Sequence, residues 1–478
     1  MTTTILTLSI VLAYIALLFV VSYLSGCAKH SATQKKHPRW LVTLAMVGAA
    51  ITGITFVSVP GSVGQDAFSY LQMGLGFIVA YIVIAYWLIP LYYKHNVVSL
   101  YEYLNDRFGV VSHATGAWIF LGAKILSAAL KVFVACLVVH RLLGESLGLP
   151  FWATSSIFMA LVWLYTHRGG LSSVIWADLI KTICMVACIA ISMIFVLRAL
   201  DLSFVGAMKV GAEQGLTRTF FFDDINNSRH FLKLFISGIF IVIATTGLDQ
   251  DLMQRVLSSE SLRSAQRNMV LSSLLQVVVI ALFLILGALF FLYLDSNSMS
   301  GVAGDEIFAF IASQEGMPTI MSSLLVLGVV ASSFSSIGGS LTALTTSFMV
   351  DILHGRQRFS EKKCSKINHI VHLAMTVIMV LVIIAFKAWG DSSSINLYFK
   401  MSCYTFGPLL GMFTFGFFSK RKVRDRYVPI IVLLSPAICA LLDHYSEVWF
   451  GGYQFGFELL LVNALITILG LLAISRNK

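Results

Sequence analysis

The stretch from Leu327 to Asp351 is apolar enough for a membrane, yet it is crowded with hydroxyls. Hydrocarbon does not solvate a hydroxyl, so groups of this kind need neighbouring helices, water or a cation as partners. Ser332, Ser335 and Ser336 stand at i, i+3 and i+4 and so face one way on a helix. Neutral oxygens gathered on one face are suited to a small hard cation. The rival reading is that Ser335 and Ser336 bond back to carbonyls one turn earlier.

A second segment has the complementary chemistry. Met46–Gly61 is punctuated by Gly48, Gly53, Pro60 and Gly61, with Thr52, Thr55 and Ser58 around the weak points. Glycine and proline in a span free backbone carbonyls, which must then bond to something or coordinate an ion. A kinked helix packed through small residues is the alternative. The ionisable residues within apolar runs are sparse: Lys124, Lys131, Asp178, Lys181 and Lys400. None forms a nucleophile with its base or a metal site, which argues against a membrane enzyme. A pore lined by polar helices is the other class to weigh, and the broken helix argues for a transporter instead.

These residues must be positioned by membrane spans. The chain of 478 residues is 58% hydrophobic and 12% charged, with a mean hydropathy of +0.86, which excludes an ordinary soluble globule. Runs long enough to cross about 30 Å of hydrocarbon number about thirteen, so the expected class is an all-α integral membrane protein. Two of them are 150–167 and 171–200. The longest outer loop, about 201–228, is expected to hold a short helix. The first run, 5–24, lacks a basic leader and a small-residue cleavage site and reads as a retained helix.

Lys and Arg are retained on the cytoplasmic side. With the N-terminus outside, Lys29, Lys35, Lys36 and Arg39 fall in one inner loop and Arg255, Arg263 and Arg267 in another. Further inner loops take Arg356, Arg358, Lys362, Lys363 and Lys366, then Lys420, Arg421, Lys422, Arg424 and Arg426. The outer loop 295–316 carries Asp295, Asp305, Glu306 and Glu315 with no Lys or Arg. The expected placement is a multi-pass protein of the plasma (inner) membrane with its C-terminus in the cytoplasm. The net charge of +10 then reports topology and not nucleic-acid binding. The cysteines imply no disulfide framework, since most fall within spans.

Several stretches together resemble the sodium:solute symporter family and its LeuT-like inverted-repeat architecture. Thr55–Gly61 is similar to the family's first core helix, and Tyr165-Thr-His-Arg-Gly-Gly-Leu with Trp176-Ala-Asp178 to its "Y-T-x-x-G-G … W-x-D" signature. Gly247-Leu-Asp-Gln-Asp-Leu-Met-Gln-Arg255 resembles "G-x-[DN]-Q-x-x-x-Q-R". Ser335-Ser336 precede Asp351-Ile352 as paired hydroxyls precede an Asp-[IL] ending, and Pro408-Leu-Leu-Gly followed by Phe415–Arg421 fits "P-x-L-G … G-x-F-x-K-R". The resemblance implies a single membrane domain over 1–478 built around a five-plus-five inverted-repeat core with discontinuous helices. Its expected parts are a leading helix at about 5–24, repeat one at about 39–200, repeat two at about 229–418 and C-terminal helices at about 427–474.

The resemblance also implies a coupling Na⁺, held by the carbonyls of Gly48, Ile51 and Ser332 and the hydroxyls of Ser335 and Ser336. A second Na⁺ site of some members needs hydroxyls where this chain has Gly338 and Gly339, so one Na⁺ per cycle is expected. Asp178 matches that site's carboxylate; it is read either as serving ion release or as an i, i+3 pair with Lys181. An acid beside the broken helix in proline carriers is replaced here by Ala50, and a gating tyrosine of sugar carriers by Thr245.

Lys131 and Lys400, two ammonium groups expected at the central cavity, favour an anionic, carboxylate-bearing solute. Thr52, Thr55, Gln72 and Thr245 complete the expected substrate site. An internal tether for Lys131 is the rival reading. The expected function is Na⁺-coupled import by alternating access, with a neutral sugar, polyol or vitamin symporter, or a transporter-like solute sensor, as alternatives. The expected partners are the solute and the lipid bilayer; no obligatory protein partner is evident, and the absence of fused domains lowers the sensor option.

Overall fold

A computed structural model describes residues 2–27, 38–95, 101–257, 259–299, 302, 304–314, 317–354, 358–389 and 394–476. Lys29, Lys35, Lys36, Glu315 and Arg356, used above to read topology, lie outside the described residues. With no water to satisfy backbone polar groups in hydrocarbon, the apolar runs become helices. The long ones are α1 (Thr2–Cys27), α2 (Arg39–Ala50), α3 (Gly53–Asp66), α4 (Tyr70–Val83), α5 (Val110–Val139), α6 (Phe151–Ala199) and α7 (Phe231–Val242). They continue with α8 (Gln250–Leu257), α9 (Leu262–Ser296), α10 (Thr319–Ser347), α11 (Glu361–Trp389), α12 (Ser394–Phe418), α13 (Val428–His444) and α14 (Leu459–Ala473). The short helix expected in the outer loop is Phe204–Glu213.

Among the described residues, eight helices are long and apolar enough to cross a membrane, or nine if α2 and α3 count as one broken span. Shorter apolar helices at Ile5–Val20, Phe151–Thr166, Phe231–Gly247 and Leu459–Ala473 fall where other spans were expected, but length and composition alone do not bring the count to thirteen. The all-α reading needs one small amendment, an antiparallel ladder pairing Lys422 with Arg476 and Val423 with Ser475.

Phe151–Ala199 holds two spans within one helical assignment. Phe158 stacks edge-on with Phe334, and Thr166 lies further along beside Gly338, so this half follows α10 in the same sense. Asp178 meets Ser335 while Cys188 donates to the Leu324 carbonyl, so the other half runs against α10. The two halves of α6 thus meet α10 in opposite senses.

The buried centre is α10, packed chiefly on α6, α1 and α5. At the periphery, α11 turns Ile370, Leu373, Val377 and Leu381 outward, a stripe at helical spacing that suits lipid. The first break falls between α2 and α3, which meet at a 59° bend. Ile51 is extended at ψ 124°, and Thr52 and Thr55 form a reciprocal capping box that starts α3 afresh. Pro60 and Gly61, expected among the break points, lie inside α3 instead; Gly61 is seated against the Gly304 carbonyl, where a Cβ would collide. A second interruption follows α7, where the π turn Ile243–Gly247 precedes α8.

Candidate functional site

The end of α2 leaves its last carbonyls without the N–H donors that a continuing helix supplies four residues on. Ile51 N–H closes the last turn on the Val47 carbonyl, and Thr52 N–H goes to Thr55 Oγ1 at 3.4 Å, so neither serves Gly48. Glycine at 48 lets α2 lie directly on α6, because a Cβ there would stand 2.5 Å from the Asp178 carbonyl and from Thr182 Oγ1. Gly53 is likewise required, since its Cβ would stand 2.6 Å from Ser333 Oγ. The break is thereby pressed against α6 on one side and the serine turn of α10 on the other.

The three serines expected at the ion divide their bonds. Ser332 Oγ donates to the Val329 carbonyl at 2.9 Å. Ser336 Oγ donates to the Ser332 carbonyl at 2.9 Å, the one-turn back-bond considered from sequence. Ser335 Oγ does not bond back; it donates to the Asp178 carboxylate. Ser336 Oγ also accepts from Lys181 Nζ at 2.8 Å, and Lys181 is fully buried. The neutral oxygens match Na⁺ in kind, and the Lys181 ammonium already occupies one acceptor position of Ser336.

Asp178 does not pair with Lys181 one turn on, as one reading held. Its carboxylate lies 2.8 Å from Arg255 Nη1. Arg255 continues to Asp251 at 3.1 Å, and Lys124 pairs with Asp249 at 2.6 Å and reaches Asp251 at 3.7 Å. Gly339 makes room for this network, for a Cβ there would stand 2.6 Å from the Asp251 carboxylate and closer still to the Arg255 guanidinium. Where the resemblance would place hydroxyls for a second Na⁺, the chain has a glycine with a guanidinium over it.

A cavity of about 90 Å³, measured as space open to the centres of water-sized molecules, lies between the breaks of α2–α3 and α7–α8. Thr52, Thr55, Lys131 and Thr245 line it. Lys131 Nζ sits 4.9 Å from the centroid of the Tyr398 ring, and Lys131 has no ion-pair partner among the described residues.

Two expected substrate residues are elsewhere. The Gln72 amide is committed to the Ser69 and Arg229 carbonyls and accepts from Phe221 N–H, bracing the loop that carries Phe221. Lys400 is half-exposed and pairs with Asp443 at 2.7 Å; Tyr398, two residues earlier, is the one that turns into the cavity. Aromatic lining residues missed in the sequence are Tyr70, Phe77, Tyr81, Tyr398 and Phe399. Apolar residues in a span read as packing, so only the tertiary fold separates these from the core.

The family model "Sodium:solute symporter family" matches residues 35–425. The chain is 24% identical to a sodium-dependent multivitamin transporter of Oryctolagus cuniculus, covering 79% of this chain and 59% of that protein. It is 23% identical to the sodium/sialic acid symporter SiaT of Proteus mirabilis, covering 84% and 82%. It is 23% identical to a sodium-coupled monocarboxylate transporter of Danio rerio, covering 78% and 60%. The chain thus spans well under two thirds of the first and third of these relatives. In fold it matches a Na⁺-coupled sialic acid symporter in a substrate-bound outward-open state, with a TM-score of 0.83 at 19% identity over 99% of each chain. A more distant match, MhsT in complex with L-phenylalanine, has a TM-score of 0.53 at 15% identity, covering 93% of this chain and 99% of that one. These relatives are transporters and not enzymes, and with the family model covering most of its length this multi-pass chain belongs to the sodium:solute symporter family.

Proposed function

We propose that the protein is a Na⁺-coupled symporter importing a small carboxylate-bearing solute by alternating access. Lys131 carries the solute assignment: its ammonium borders the central cavity beside Tyr398 and lacks a protein counter-charge among the described residues. A cation held at that depth is costly until an anion meets it. A solute carboxylate supplies that charge, and the hydroxyls of Thr52, Thr55 and Thr245 on the same cavity can accept from or donate to the rest of the molecule. Relatives named for sialic acid and monocarboxylates support the reading.

The proposed ion ligands are the carbonyls of Gly48, Ile51 and Ser332 and the hydroxyls of Ser335 and Ser336. Na⁺ there would tie the end of α2 to α10 and so favour the conformation in which the cavity is complete. The affinities of ion and solute are then reciprocally coupled. The N-terminus is proposed to lie outside and the C-terminus in the cytoplasm of the plasma (inner) membrane.

Uptake into proteoliposomes under an inward Na⁺ gradient, with monocarboxylates and sialic acids as trial solutes, tests the reading. Ser336→Ala should lose Na⁺ activation while keeping the wild-type circular dichroism. Uptake indifferent to Na⁺ would sink the coupling, and Na⁺ activation unchanged in the variant would sink the site.

A further inference from the structure

Lys181 is a buried charge that transport as described above does not use. Its ammonium is fully buried and donates to Ser336 Oγ at 2.8 Å. That hydroxyl in turn donates to the Ser332 carbonyl, so the ammonium sits on one of the hydroxyls assigned to the ion, and that hydroxyl is itself turned onto the assigned carbonyl. Ser335, the other expected hydroxyl ligand, is turned to Asp178. An ammonium has three donors and no acceptor, so it satisfies oxygens much as a metal cation does.

The charge balance points the same way. The buried network contains three acids, Asp178, Asp249 and Asp251, and three bases, Lys124, Lys181 and Arg255. The charges facing Lys181 are Asp178 from its own helix, Arg255 and Asp251 from α8 and Lys131 from α5. With Lys131 left to the solute carboxylate proposed above and Lys181 in place, the network is already neutral, and an added Na⁺ leaves a surplus positive charge in a low-dielectric interior. With Lys181 withdrawn, one Na⁺ restores neutrality.

We propose that Lys181 is a tethered cation holding the sodium position, so that its ammonium and Na⁺ are mutually exclusive on Ser336. This rests on the Na⁺ site proposed above and adds the competitor that sets its affinity. A purely structural role, in which Lys181 only neutralises Asp178, predicts lower stability on its removal and no gain in ion affinity.

The test is Na⁺-dependent thermal stabilisation of purified, detergent-solubilised protein, with choline chloride as the ionic-strength control, alongside equilibrium binding of radioactive Na⁺. Lys181→Gln and Lys181→Met should respond to Na⁺ at concentrations at least tenfold below wild type. Lys181→Arg, which keeps the charge, should show no gain, and Ser336→Ala added to Lys181→Gln should erase it. Should Lys181→Gln not fold, Lys181→Met, whose apolar chain suits the buried position, decides alone. A gain confined to the neutral variants, with no response in wild type, supports the tethered cation and overturns Na⁺ coupling. Equal Na⁺ responses in wild type and the neutral variants would overturn the competition while leaving the sodium site standing. No Na⁺ response in any variant would overturn the site itself and, with it, the competition.

Discussion

Lys131 and Lys400 looked alike in the sequence, yet the fold separates them. Lys131 borders the cavity, whereas Lys400 reaches Asp443 with its side chain 54% exposed, where an ion pair is worth about 0–1 kcal/mol. Lys131→Gln should therefore cut uptake of an anionic solute by about tenfold or more, equivalent to about 1.4 kcal/mol. Lys400→Gln should leave uptake within about twofold. Unaltered uptake in Lys131→Gln would point to a neutral solute. Arg255 is a different case, being 1% exposed and placed between Asp178 and Asp251. Removing one partner of a buried ion pair costs roughly 3–5 kcal/mol because the other charge is left uncompensated. Arg255→Met should lower the melting temperature strongly, and adding Asp178→Asn should recover part of the loss; a wild-type melting curve for the single variant would contradict the network.

At the scale of elements, the discontinuous span is explained by side chains it lacks. Gly48 allows α2 to rest on the Asp178 carbonyl of α6, and Gly53 allows α3 to rest on Ser333 of α10. Gly48→Val should force the helices apart at a cost of about 1–3 kcal/mol, and it should also weaken Na⁺-dependent stabilisation because the carbonyls at the break would move from the serines. A thermal titration with Na⁺ reads both effects; a variant with native stability and native Na⁺ response would show that this contact does not set the break. The glycines and threonines of the span were legible as a weak point. Which of Gly48, Gly53, Pro60 and Gly61 interrupts the helix was not, because each can free a carbonyl, while the Thr52–Thr55 capping box decided where a new helix starts.

At the scale of the whole molecule, orientation is the open consequence of the basic-residue pattern. Single cysteines replacing Asp223, proposed to lie outside, and Lys420, proposed to lie inside, should differ in reaction with a membrane-impermeant maleimide. The first should label in intact cells and the second only after permeabilisation; the opposite pattern would invert the topology. An otherwise cysteine-free background is practical because no disulfide is found among the described residues.

Composition and hydrophobic run length by themselves determined that this is a helical membrane protein, and the spacing of Ser332, Ser335 and Ser336 with the Gly48–Gly53 break located a cation-suited region. Those features are local: they depend on a residue's neighbours within a few turns of one helix. The tertiary structure decided which charges meet. Lys124 and Asp249 are 125 residues apart in sequence, and Lys181 and Ser336 are 155 apart. Such pairings depend on the rotation and depth at which separate helices pack, and no periodicity within either segment encodes that. This is why the sequence pointed to oxygens waiting for a cation, while only the fold brought the Lys181 ammonium onto them.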